Sequence, residues 1–150
     1  MIHIKNTQRK IKINEKKIKA CVQQILDICQ YQDFDIGIWF TTNKTIQKFN
    51  KTYRKKDKPT DILSFSFHTD LKAGEKIKTK TDDDKNLGDL IISAEFAQND
   101  AKKGGRSLHE HLKILLVHGI CHLLGYDHTT ESDYKKMRTK ELGILKKIVS

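Results

Sequence analysis

The sequence predicts an α+β fold on a mixed four-stranded sheet, in the order β-α-β-α-β-β with further helices behind it. Three observations carry this. Short apolar alternations such as "MIHIK" and "FDIGIWF" are separated by stretches with helical apolar spacing. Only a polar loop stands between the third and fourth strands, so those two pair antiparallel, whereas helices between the earlier strands imply parallel crossovers. Beyond the fourth strand the pattern is helical to the end, and one helix carries His118 and His122 four residues apart. With 150 residues, no linker and no internal repeat, positions 1–150 are expected to form one domain around a single core.

"MIHIK" is the first strand, followed from about Asn14 by a helix whose apolar stripe is Ile18, Val22, Ile25, Leu26 and Cys29. The second strand runs from Phe34 to Phe40. Thr42 and Asn43 can cap a short helix carrying Ile46, Phe49 and Tyr53, and "YRKKDKPTD" breaks it because Pro59 disfavours helix in the residue before it. Ile62 to Phe67 is the third strand. His68 to Asn86 has almost no apolar content and charge runs of both signs, which predicts a long exposed loop and the most mobile segment of the chain. Leu87 to Ser93 is the fourth strand.

The next helix spans Ser93 to about Lys103 and stops at Gly104 and Gly105. "SLHE" then reads as a capping box, with Ser107 capping the following helix and Glu110 reaching back to it. That helix runs from near Leu108 through Leu112, Leu115, Leu116 and His118 to Leu124, where Gly125 ends it. A last helix from about Glu131 is expected to bury Tyr134, Met137, Leu142, Leu145 and Ile148.

Charge bounds the partners. Lys and Arg number 29 against 19 Asp and Glu, a net charge of +10, so a polyanion such as RNA gains electrostatic attraction, although a merely solvated lysine-rich surface gives the same count. Three cysteines without paired spacing argue against a disulfide scaffold and for a reducing compartment, which makes the cytoplasm the expected location. The N-terminal residues lack the apolar core of a signal peptide, and no run approaches the roughly 18 apolar residues of a membrane span.

"HGICHLLGYDH" holds the candidate site. His118 and His122 project from one helical face, Gly125 turns the chain, and His128 can swing back as a third ligand, a spacing shared with zincin-type zinc proteases. Three neutral imidazoles favour zinc or a neighbour in the transition series and, in a tetrahedral zinc site, leave a fourth position open for water or substrate. The glutamate that serves those proteases as base is here Gly119, so peptide hydrolysis lacks its usual base. Glycine inside a helix costs about 1 kcal/mol against alanine, which suggests that a side chain at 119 would obstruct substrate, a neighbouring backbone or close helix packing. Asp127 is placed either to orient a ligand histidine or to cap the last helix. His111 lies about 10 Å along the axis from His118, too far to share an ion, and Cys121 fits a core slot better than a metal.

The order and spacing of three blocks resemble the YbeY endoribonucleases, or rRNA maturation factors. They are "NKTYRKKDKPTDILSF" (Asn50 to Phe65), "LGDLIIS" and "HGICHLLGYDH". The family often has proline where Ser66 stands and an aliphatic residue where Cys121 stands, and neither change removes a chemical group from the site. The resemblance implies a zinc-dependent endoribonuclease with a preference for single strands, acting in maturation of the 16S rRNA 3′ end and in ribosome quality control. It implies His118, His122 and His128 as the ligands of one zinc ion, and Arg54 as the functional arginine. Chemically, metal-activated water would attack a phosphodiester whose growing charge the planar guanidinium holds. Its partners would be single-stranded rRNA and the small ribosomal subunit or its assembly proteins. Two competing expectations remain open on the residues: a metalloprotease, opposed by Gly119, and a non-catalytic ribosome assembly factor with a structural metal.

Overall fold

A computed structural model describes residues 1–149. Four strands, β1 (Ile2–Asn6), β2 (Asp35–Thr41), β3 (Ile62–Ser66) and β4 (Asn86–Ser93), form one mixed sheet in the order β1-β2-β4-β3. The helices among the described residues are α1 (Glu15–Cys29), α2 (Asn43–Arg54), α3 (Ala94–Lys103), α4 (Leu108–Leu123) and α5 (Glu131–Lys147). The α+β class and the mixed four-stranded sheet are those the sequence predicts, and none of these helices is long and apolar enough to cross a membrane.

Period-two alternation decides which face of the sheet is core. Ile36, Ile38 and Phe40 of β2 and Leu90 and Ile92 of β4 are at most 1% exposed and meet the apolar stripes of α1 and α4. The stripe expected on α1 is present, with Cys21 added and Cys29 half-buried. Side-chain caps fix each helix start: Asn14 accepts from the Lys17 amide, Thr42 from Thr45 and Ser107 from Glu110. Only the serine half of the "SLHE" box forms.

Two expectations need correction. First, β1, β2 and β4 are mutually parallel, and β3 is antiparallel to them, so the connection through α2 is not a parallel crossover. The segment after α2 runs back along the helix instead of crossing the sheet. Gln47 donates to the Asp57 carboxylate at 3.0 Å, and Asn50 donates to the Lys58 carbonyl at 2.8 Å. Ile62 therefore starts β3 level with Ile92, which itself pairs with Phe40 at the far end of β2. Second, α5 buries Met137, Glu141 and Ile144, while Tyr134 and Leu142 are exposed and Leu145 and Ile148 half-buried. The charged segment after β3 is mostly exposed, as expected, and has two local anchors: Ile77 packs on the core with its amide donating to the Tyr31 hydroxyl at 3.1 Å, and a short 3-10 turn spans Asp82–Asp84.

Candidate metal centre

α4 carries the site and packs on β3 and β4, flanked by α1, α3 and α5. Its end is a Schellman motif. The Gly125 amide donates to the His122 carbonyl at 3.0 Å and the Tyr126 amide to Cys121 at 3.0 Å, with Gly125 at φ +91°. Glycine is needed here twice over, because a Cβ would also stand 2.5 Å from the Leu71 carbonyl oxygen. The turn returns His128 to the two helical histidines, and one nitrogen from each ring lies within 4.8 Å of the others.

Hydrogen bonding fixes the rings. His118 Nδ1 donates to the Glu141 carboxylate at 2.7 Å, and His122 Nδ1 donates to the Tyr126 carbonyl at 2.9 Å. Both partners only accept, so in the neutral rings both Nε2 atoms present lone pairs. These two Nε2 atoms lie 3.1 Å apart. Facing lone pairs at that separation repel unless a proton or a metal cation sits between them, and nitrogens on a tetrahedral zinc are about 3.3 Å apart, so the donor set fits such an ion. Burial, helped by the neighbouring His118, pushes the His122 imidazole below its ordinary pKa, which keeps its lone pair available.

Glu141 escaped sequence reasoning. It sits 23 positions from His118 on another helix, is 8% exposed, and occupies the apolar face of α5 where a leucine would be expected. Asp127 does not cap α5, since Thr130 does; its carboxylate accepts from the backbone amide of His128 at 2.7 Å. Gly119 faces the sheet and not the cleft, since a Cβ there would stand 2.8 Å from Ile62 Cδ1 and 2.9 Å from Leu90 Cδ2. Among the obstructions expected there, close packing is the one present. Cys121 is fully buried with its thiol pushed up to about 12, chiefly by burial, as suits a core residue. His111 is buried away from the triad, with Nδ1 3.1 Å from Arg106 Nη2.

The histidines open into a cleft of about 770 Å³ whose wall includes Arg54, Ser64, Ser66 and His68. Arg54 is the last residue of α2, is exposed, and has no carboxylate within ion-pair distance among the described residues. Its guanidinium is free for an anion. His68 is held from the side, with Nε2 2.8 Å from the Asp84 carbonyl.

Fold and site together define an α+β protein with a three-histidine centre suited to a divalent metal, set in an open cleft beside an unpaired arginine. The chain belongs to the family described as Endoribonuclease YbeY, whose profile matches residues 3–149. It is 39% identical over 142 residues to the Endoribonuclease YbeY of Homo sapiens, covering 95% of this chain and 84% of the human one. It is also 39% identical over 141 residues to that of Aquifex aeolicus, covering 93% and 87% of the two chains. A Thermotoga maritima protein of known solution structure shares the fold, with TM-score 0.57 at 19% identity over 97% of this chain and 90% of that one.

Proposed function

We propose that this endoribonuclease, one domain over residues 1–150, cuts single-stranded rRNA by zinc-assisted hydrolysis, in maturation of the 16S rRNA 3′ end and in ribosome quality control. The observation that carries the reading is the shared cleft, in which the histidine triad and the free Arg54 guanidinium line one space. His118, His122 and His128 would hold the ion. A zinc ion there supplies Lewis-acid activation of water and of a phosphoryl oxygen.

The chain's own groups do the rest. Glu141 and the Tyr126 carbonyl keep two imidazoles in the tautomer that offers Nε2. Arg54 donates to two oxygens of the phosphodiester and steadies the charge that grows on them. The net charge of +10 draws the RNA backbone to the surface and supports rRNA as the polyanionic partner.

Arg54→Ala is expected to lower cleavage of a defined single-stranded RNA by about 100-fold or more, while metal content and melting temperature stay as in wild type. Cleavage at the wild-type rate would remove Arg54 from the reaction and point to a contaminating nuclease. Glu141→Gln keeps an acceptor for His118 but loses the negative charge, and should weaken zinc binding by about 10- to 100-fold in competition with a chelator. Unchanged affinity would reduce Glu141 to a packing role.

A further inference from the structure

The face of the sheet turned away from α1 and α4 is only partly covered. α2 packs Ile46 over Leu63 and Ile91, with Phe49 against the same small cluster, and leaves the rest of that face open. The open part is a groove of about 440 Å³. Its aromatic wall is continuous: Trp39 and Phe49 meet edge to face at 5.6 Å, Phe49 and Tyr53 stack at 6.2 Å, and Tyr53 and Phe65 meet at 5.1 Å. Tyr53 is 64% exposed, far more than a core aromatic would be.

We propose that this groove is a stacking site for an unpaired base of the RNA strand that is cut at the histidine centre. The proposal rests on RNA being the substrate of the neighbouring cleft. Four features favour a nucleobase. The wall offers flat rings, which bind any base through its π-face. Gly37 has no side chain, and Asp89, exposed on the next strand, lies across the hollow, where its carboxylate can accept from the N–H groups of a base edge. Lys5 stands with Nζ 4.8 Å from the Trp39 ring, and the exposed His3 lines the same rim, so an ammonium and a ring N–H donor border the rings where a phosphate would follow its base. Finally, Tyr53 and Phe65 line both the groove and the metal cleft, and Arg54 follows Tyr53 directly, so one strand can reach both without a break.

Trp39 is the only tryptophan, so its emission reports the groove directly. Titrating the intact protein with an unstructured RNA decamer should quench Trp39 saturably, and His118→Ala, which leaves the groove intact, should show the same quench. Tyr53→Leu is expected to weaken decamer binding and raise KM by about ten-fold, with kcat within about two-fold of wild type and an unchanged melting temperature. Asp89→Ala should shift the preference among oligonucleotides that differ in one base. Absence of quenching at RNA concentrations that saturate cleavage would overturn the proposal. So would an unchanged KM in Tyr53→Leu, or quenching by an acidic peptide and not by RNA. Quenching without any cleavage would instead retain the groove and count against the nuclease assignment of the cleft.

Discussion

His118→Ala should abolish zinc binding at stoichiometric metal and lower RNA cleavage by more than about 100-fold, because loss of a ligand exceeds the 10- to 100-fold cost of losing one of its outer partners. It should also lower the melting temperature of the metal-free protein. Removing the imidazole strips Glu141 of its hydrogen-bond partner, and a carboxylate 8% exposed is left unpaired at a cost of about 1–3 kcal/mol. His128→Ala supplies the contrast. His128 is exposed, so its loss should remove metal and cleavage without that stability cost. Calorimetry with and without chelator, beside a cleavage assay, separates the two effects. If either variant retains zinc and full activity, the triad is not the metal site.

How far the sequence could be read follows from how local each signal was. The three histidines were legible because helical spacing, a glycine stop and a short return lie within eleven consecutive residues, and the fold brings their nitrogens together. Arg54 was singled out only through the family blocks, since its chemistry is otherwise that of any exposed cation. Glu141 was illegible for the opposite reason. Its face of α5 follows the helical repeat through Met137 and Ile144, but a charge in mid-stripe made the neighbouring line of Leu142 and Leu145 look like the buried one. The direction of β3 was lost in the same way, because it depends on two side chains of α2, Gln47 and Asn50, holding a loop that carries no apolar pattern. The groove was missed because alternation marks His3, Lys5, Gly37 and Asp89 as the outer face without telling how much of it α2 covers.

Gly119→Glu, which would restore the zincin-type sequence around the first histidine, should destabilise the protein by about 3 kcal/mol or more and create no peptidase. Sequence spacing alone makes the substitution look like the repair of a protease motif. Geometry points the new side chain elsewhere. Its Cβ would press on Ile62 Cδ1 and on both Leu90 methyl groups, and Leu90 is fully buried, so the carboxylate would lie between α4 and the sheet with no partner. Gly119→Ala isolates the steric part. There the about 1 kcal/mol gained in helix propensity is opposed by two contacts under 3.0 Å, which the methyl ends of Ile62 and of the fully buried Leu90 must shift to relieve, so the alanine variant should lose stability, but far less than the glutamate one. Thermal unfolding of the two variants, with a peptide-cleavage assay on the glutamate one, distinguishes packing from chemistry at this position. A glutamate variant that melts like wild type and cleaves peptides would place residue 119 in the cleft and revive the metalloprotease. A large loss of stability with zinc still bound at His118, His122 and His128 would show that this glycine lets α4 lie close enough to the sheet to carry its ligands into the cleft.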